Sequence, residues 1–195
     1  QLDLDIISDG AGGAVICWED VRSGSDYDIY MAHIEDDGNL PGTPDGIAVC
    51  DFLGTQRNPI ILRINPLYTA VVWEDLRSSV QEIYIQYFQN LTMNMYIDGG
   101  DVFVPSMGGT VGSLDATVDG QGRVVASWYD TRDTYERVFV QCHNYLTGEA
   151  WTSLGVPVTS STVGQTSSMI ISDGAGGTIV VWDDERNGDL DPSIY

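Results

Sequence analysis

The sequence of 195 residues predicts an all-β chain made of β-propeller blades, each a four-stranded antiparallel unit, with about three and a half blades present. Three observations support this prediction. A tryptophan motif recurs four times at intervals of 54 or 55 residues, Asp-Gly turns separate short apolar runs, and no segment keeps the 3.6-residue apolar period of a helix. Repeats of about this length with one tryptophan per copy are typical of propellers, in which each copy forms a blade.

Blade 1 shows how the strands are assigned. The Asp9-Gly10 pair lies between two apolar runs and Asp37-Gly38 follows a third, and Asp-Gly at such a position is a hairpin signal. Trp18 closes the second of these runs. The four strands are therefore predicted near residues 3–8, 14–20, 27–34 and 46–50.

The second strands decide the architecture. Their residues are apolar at consecutive rather than alternate positions in 15–18, 70–73 and 179–182. Since successive side chains point to opposite faces of a sheet, both faces of these strands are expected to be buried. A two-layer sandwich leaves one face in water, whereas a propeller blade is packed on both sides by its neighbours. A β-solenoid is the alternative, although its coils are usually much shorter.

The repeat divides the chain, as one continuous array, into four blades. Register on the tryptophans places the bounds at 1–55, 56–110, 111–164 and, for an incomplete fourth blade, 165–195. The last copy stops in its third strand, and the two terminal blades are each expected to have one apolar face without a neighbour. Soluble proteins avoid such exposed patches, and propellers usually close with about 4–8 blades. We therefore expect either a fragment of a longer propeller or a subunit that completes its ring or stack with other copies.

The repeated motif has the form Trp-x-Asp-x-Arg. Its three side chains alternate along a strand and are expected on one face. We interpret each Asp–Arg pair as structural, because a catalytic residue normally occurs in one copy only; the alternative is a functional ring of charged pairs along one rim. The motif residues are Trp18, Asp20, Arg22, Trp73, Asp75, Arg77, Trp128, Asp130, Arg132, Trp182, Asp184 and Arg186.

The charge balance limits the classes of partner that the chain is expected to bind. Twenty-nine acidic residues against eight basic ones, all of them arginine, give a net charge of −21. Such a surface repels phosphate backbones and anionic lipids, so we expect no nucleic acid partner, and no apolar run is long enough for membrane insertion. Cys17, Cys50 and Cys142 have neither disulfide-framework nor zinc spacing, and we expect three buried thiols.

Calcium is the more plausible metal, because hard cations take oxygen ligands from loops. Oxygen-bearing side chains alternate around a glycine at Asp183, Glu185, Asn187 and Asp189, and residues 35–39 form a weaker second candidate. The alternative is that Asp, Asn and Gly are simply turn residues. His33 and His143 lie in no zinc-binding pattern. Asn90 begins an N-x-Thr sequon, a possible glycosylation site.

The sequence Ile-Ser-Asp-Gly-Ala-Gly-Gly, followed by Trp-(Glu/Asp)-Asp-x-Arg and then Asp-Ile-Tyr, resembles repeats of large secreted or surface β-propeller proteins of bacteria, including proteins with a type IX sorting tail. The match is closest in 6–30 and 171–186 and extends, more weakly, over the whole chain. The Asp-Gly turns are distantly similar to the Asp-box of sialidases, at a longer spacing from the tryptophan. The resemblance implies a propeller in an extracellular or cell-surface setting and no particular activity.

The main functional hypothesis is a non-catalytic extracellular scaffold or adhesion module that contacts a protein partner or other copies of itself. The first alternative is a carbohydrate-binding propeller, in which aromatic side chains outside the motif stack on glycans. The second alternative is a glycoside hydrolase-like enzyme, although no catalytic sequence motif is visible, so we expect the chain not to be an enzyme. The candidate stacking residues are Tyr87, Tyr96, Tyr145 and Trp151.

Overall fold

The computed structural model describes residues 1–42, 44–89, 94–95, 100–105, 108–149, 151–187 and 193–195. These residues form β-strands joined by turns and contain no helix, so none of them provides a helix that could span a membrane. The strands are β1 (Leu2–Ser8), β2 (Ala14–Asp20), β3 (Asp28–Ile34), β4 (Ile47–Cys50), β5 (Gln56–Asn65), β6 (Tyr68–Asp75), β7 (Glu82–Gln89), β8 (Asn94–Met95), β9 (Asp101–Val104), β10 (Val111–Val118), β11 (Val124–Asp130), β12 (Arg137–Asn144), β13 (Gly148–Glu149), β14 (Val156–Pro157), β15 (Gln165–Ser172), β16 (Thr178–Asp184) and β17 (Ser193–Ile194).

The strands form four antiparallel sheets that follow chain order. The sheets run β1-β2-β3-β4, β5-β6-β7-β8, β10-β11-β12-β13 and β15-β16-β17, and the short strands β9 and β14 pair with β7 and β12. Each sheet contains one copy of the tryptophan motif, on its second strand. The predicted fold class, all-β with four-stranded propeller blades, is confirmed.

The chain divides into two compact units, Gln1–Val102 and Phe103–Tyr195. In the first unit, Ile61 of sheet 2 packs in one apolar core with Val15 and Cys17 of sheet 1. In the second unit, Ile170 of sheet 4 packs with Val125 and Cys142 of sheet 3. In both units, therefore, the first strand of one sheet covers the apolar face of the sheet before it.

The first strand of every sheet contains a β-bulge at the same place. Its register with the second strand shifts there, and one residue has a left-handed φ between 37° and 54°. The four bulge residues, each fifteen positions before the motif tryptophan, are Asp3, Asn58, Ser113 and Ser167. Short polar residues tolerate this conformation better than bulky ones.

Burial of the second strands matches the prediction in three sheets and differs in the fourth. β6 and β11 are buried on both faces and β2 is buried over most of its length. In β16, Ile179 and Val181 are exposed, so the prediction that both of its faces are buried is wrong. The physical reason is that no described strand packs on that face of sheet 4.

Candidate functional site

The motif aspartate binds both of its motif partners. In sheet 2, the Trp73 indole N–H donates to Asp75 Oδ2 at 2.9 Å, and Arg77 donates to the same oxygen through Nη2 at 2.6 Å. The Arg77 backbone amide donates to Asp75 Oδ1 at 2.8 Å. The carboxylate therefore connects the end of the strand, the buried indole and the loop that follows. The same contacts surround Asp20, Asp130 and Asp184.

The arginine also lies on a stack of two rings. The Arg77 guanidinium carbon is 4.0 Å from the centroid of Tyr84, whose ring stacks on Trp73 with 5.9 Å between centroids. Equivalent stacks occur in the other three sheets. In sheet 2, Arg77 Nη2 also donates to Cys50 Sγ of sheet 1 at 3.0 Å. Contacts of this kind within and between sheets are those that the structural interpretation requires, and the stabilising role itself stays a prediction.

The pairing of aspartate with arginine also lowers the pKa of the motif aspartate in two of the sheets. The hydrogen bond from Arg22 holds the pKa of Asp20 well below its ordinary value, and Arg186 does the same to Asp184. Both carboxylates are nearly inaccessible, so they are ionised and neutralised inside the sheet. A group used in this way has little capacity left for an external ligand.

Sequence reasoning missed a glycine that completes the motif. Gly46, Gly100 and Gly155 each have a left-handed φ of 76° to 78°, and a Cβ at any of them would overlap the edge of the motif tryptophan. The signal was present in the sequence, since the three glycines follow their tryptophans by 27 or 28 residues. It could be recognised only once the close approach of backbone and ring was known.

A pocket of about 400 Å³ in the first unit is lined by side chains that break the repeat. It lies where the β1–β2 turn, the end of β3 and the end of β5 meet. Its charged and titratable groups are Asp9, His33, Glu35, Asp36 and Arg63. The pocket therefore brings carboxylate acceptors, an imidazole and a guanidinium donor to one concave surface.

Asp9 and His33 form the centre of this pocket. Asp9 Oδ1 accepts hydrogen bonds from the amides of Ala11 and Gly13 at 2.8 and 2.9 Å, which closes the turn. Its other oxygen lies 2.9 Å from His33 Nε2. Bonding to His33, with help from the two amides, holds the pKa of Asp9 below its ordinary value. Since a carboxylate only accepts hydrogen bonds, Nε2 carries the proton, and a neutral imidazole then keeps a lone pair on Nδ1.

Arg63 reaches the pocket from the neighbouring sheet. Its guanidinium lies over Gly10, where any Cβ would overlap it and where φ is 75°. Within the described ranges, Arg63 makes no ion pair, whereas all seven of the other arginines do. Its donors are therefore available to a bound molecule.

The equivalent turns of the other sheets lack this combination. In sheet 3, Arg123 Nε donates to Asp119 Oδ2 at 2.6 Å, so an arginine and not a histidine binds the turn aspartate there. In sheet 4, Asp173 accepts from the amides of Ala175 and Gly177 and from no side chain in the described part of the chain. Comparison of the four copies could have marked His33 and Arg63 as departures from the repeat, but not that they share one cavity with Asp9.

The structure places some of the predicted calcium ligands, and others lie outside the described residues. Asp183 lies in β16 and pairs with Thr166 of β15. Asn187 donates to the Ser193 hydroxyl at 2.9 Å, and Asp189 lies outside the described residues. In the second loop, the Asn39 side chain donates to Glu35 at 2.9 Å. No three His, Cys, Asp or Glu side chains converge among the residues that the structure places, and calcium binding stays a prediction.

The other candidate residues are placed as follows. Tyr87 is buried in β7, so the interpretation of this side chain as a stacking surface is wrong, while Trp151 is exposed. Asn90 and Tyr96 lie outside the described residues. All three cysteines are buried and unpaired, and burial raises the pKa of the Cys17 and Cys50 thiols to about 12 and that of Cys142 to about 11.

No protein-family model and no curated protein sequence matches the chain. Solved structures do match. The endo-arabinase from Bacteroides thetaiotaomicron VPI-5482 aligns with a TM-score of 0.58 and 12% identity, over 98% of this chain and 72% of the arabinase. A thermostable family-43 glycoside hydrolase aligns with a TM-score of 0.55 and 10% identity, over 93% of this chain and 65% of that protein. At this identity the likeness shows the shared propeller fold.

These comparisons correct one prediction. We expected the chain not to be an enzyme, and both of these structures, which share its fold, are glycoside hydrolases, so that expectation is wrong as it stands. It relied on the absence of a linear catalytic motif, whereas the pocket collects its groups from three separate segments. The propeller part of the predicted resemblance is supported, and the relation to secreted bacterial repeat proteins and to the Asp-box stays a prediction.

Proposed function

We propose that this chain is the carbohydrate-binding part of a β-propeller, and that the pocket at Asp9, His33 and Arg63 binds the sugar. The observation that carries the proposal is asymmetry. The motif contacts recur in all four sheets, whereas this combination of side chains occurs once in the described residues. A binding site needs groups that differ from the repeat, and a purely structural element does not.

The chemistry of the pocket suits a neutral polyol. Sugar hydroxyls both donate and accept hydrogen bonds, and the pocket supplies acceptors on Glu35 and Asp36 and unused donors on Arg63. A volume of about 400 Å³ lies within the usual range for small-molecule sites. The net charge of −21 disfavours anionic ligands, so neutral sugars are the better candidates.

The shared fold supports a carbohydrate ligand and suggests the first probe. One of the matching structures is named as an endo-arabinase, so arabino-oligosaccharides are the substrates to test first. The extracellular location expected from the sequence is compatible with this proposal and stays a prediction.

The experiment is a calorimetric titration of the purified chain with arabino-oligosaccharides, which measures their affinity. Arg63→Gln should weaken binding about tenfold or more, since a lost hydrogen bond to a charged group is worth about 1.5–3 kcal/mol. His33→Gln should weaken it about two- to tenfold, because a hydrogen bond to a neutral group is worth about 0.5–1.5 kcal/mol. Release of reducing ends in the same samples reports whether the bound sugar is cleaved.

A matched control comes from the repeat itself. Asp9 and Asp173 occupy identical Ser-Asp-Gly-Ala-Gly-Gly turns, but only Asp9 contacts a histidine. Asp9→Asn should weaken sugar binding and Asp173→Asn should leave it unchanged. Equal effects of the two substitutions, or no binding of any oligosaccharide by the folded chain, would refute the proposal.

A further inference from the structure

Sheet 4 exposes an apolar face that is covered at the same repeat position elsewhere. Ile179 is 52% exposed, whereas Val15 and Val125, its equivalents three residues before the motif tryptophan, are 3% and 1% exposed. Strands β15 and β16 pair so that four apolar side chains lie together on this face. They are Met169, Ile171, Ile179 and Val181, and all four are exposed.

The two units show what covers such a face. Ile61 packs in one core with Val15, and Ile170 packs in one core with Val125. Ile61 and Ile170 both lie twelve residues before their motif tryptophan, on the first strand of the following sheet. The natural cover of the exposed face on sheet 4 is therefore another first strand of this repeat.

Sheet 1 exposes the matching surface. Ile6, the residue equivalent to Ile61 and Ile170, is 54% exposed, while Ile61 is 1% exposed. Next to it lies a depression of about 530 Å³, whose lining includes Leu4, Ile16 and Trp18. The chain thus presents an uncovered receiving face on sheet 4 and an uncovered docking face on sheet 1.

Backbone hydrogen bonds determine which kind of sheet can dock on the exposed face of sheet 4. Asp5 accepts from the amide of Ile6 through Oδ1 at 2.8 Å and from the amide of Ile61, in the next sheet, through Oδ2 at 2.9 Å. Asp115 makes the same two bonds, to Ala116 at 2.9 Å and to Ile170 at 2.8 Å. A sheet whose backbone amide at this position donates across the interface, as that of Ile61 does, therefore needs an acceptor from the sheet before it.

Sheet 4 offers no such acceptor, because Met169 stands at the position of Asp5 and Asp115. The partner that fits is a sheet whose corresponding amide is already bonded within its own strand. Sheet 1 is of this type, since the Ile6 amide donates to Asp5. Docking sheet 1 on sheet 4 therefore buries apolar surface and leaves no amide at this position without an acceptor.

We infer that the chain associates head to tail with a second copy, the docking face of sheet 1 in one copy covering the receiving face of sheet 4 in the other. The two surfaces differ, so the contact is heterologous and produces a closed ring or an open stack. The inference is independent of sugar binding. Because both copies carry a charge of −21, association should strengthen as salt screens the repulsion.

Sedimentation velocity and light scattering over a concentration series test this arrangement. The wild-type chain should associate, and Ile179→Asp and Ile6→Asp should each raise the dissociation constant at least about tenfold. Leu146→Asp, at an exposed leucine in the turn after β12, is the control and should change nothing. All three sites are exposed, and circular dichroism should confirm that each variant stays folded.

A mixing experiment distinguishes this contact from a symmetric one. Ile6→Asp copies keep the receiving face and Ile179→Asp copies keep the docking face, so an equimolar mixture should form a one-to-one dimer and nothing larger. A wild-type monomer at all concentrations overturns the inference, and it is the result expected if further blades of a longer chain cover both faces. Association that survives both substitutions, or that is lost but not restored by mixing, overturns it too.

Discussion

The glycine beneath the motif tryptophan should be intolerant of any side chain. Gly155 has a φ of 76°, and a Cβ there would overlap the ring of Trp128 and lie about 3.0 Å from the Val140 carbonyl oxygen. Trp128 is fully buried and its indole N–H is bound to Asp130 at 2.9 Å. The ring therefore cannot move aside without breaking that bond.

The expected cost of Gly155→Ala has two parts. The left-handed conformation costs alanine about 1–2 kcal/mol, and overpacking a buried site costs about 1–3 kcal/mol more. Gly148→Ala isolates the first part, because Gly148 has a φ of 82° and nothing lies within 4 Å of its Cβ position. The free energy of unfolding should therefore fall by about 2–5 kcal/mol in Gly155→Ala and by about 1–2 kcal/mol in Gly148→Ala.

Urea unfolding followed by tryptophan fluorescence measures both values. The comparison is like for like, since both glycines lie in the second unit and carry the same substitution. Equal losses of stability in the two variants would refute the reasoning, because they would mean that the methyl group at position 155 does not meet the tryptophan.

Three other predictions follow from the motif and the loops. Trp73→Ala should lower the free energy of unfolding by about 3–5 kcal/mol, because the side chain is fully buried; a loss under about 1 kcal/mol in urea unfolding would contradict this. Arg22 lowers the pKa of Asp20, so the stabilisation from this pair should be complete above about pH 4 and lost as the pH falls through the lowered pKa. Acid titration of the thermal midpoint should be flatter for Asp20→Asn, and an unchanged profile would show that the pair does not contribute. If the loop that begins at Asp183 binds calcium, a chelator should lower the melting temperature and added calcium should restore it, whereas a melting curve that responds to neither rules out a stabilising site.

The sequence predicted those features of the fold that depend on local pattern. The second strand of blade 1, expected at 14–20, is β2 with the same bounds, and the recurring Trp73 and Trp128 each lie on a second strand. The apolar run of β16 predicted burial on both faces, because a run of this kind records what a strand can bury and not what packs on it. The exposed face agrees instead with the expectation that a terminal blade has one apolar face without a neighbour.

The candidate pocket could not be predicted from the local sequence pattern. Asp9, His33 and Arg63 lie in three segments that are separated by 24 and 30 residues, and their approach depends on the packing of two sheets. The chemistry of each residue could be stated from the sequence. Which residues would share one cavity could not, because the spacing between them matches no linear motif.

The bulge in the first strands bears on how the chain avoids aggregation. β1, β5, β10 and β15 each stand at the edge of their sheet, and each is interrupted at the same position by a residue with left-handed φ. A bulged edge twists away and gives an incoming strand no straight ladder to extend. Four similar repeats in one chain would otherwise be well suited to strand exchange and amyloid growth. The kinked first strands therefore disfavour pairing of another strand along this edge of each sheet.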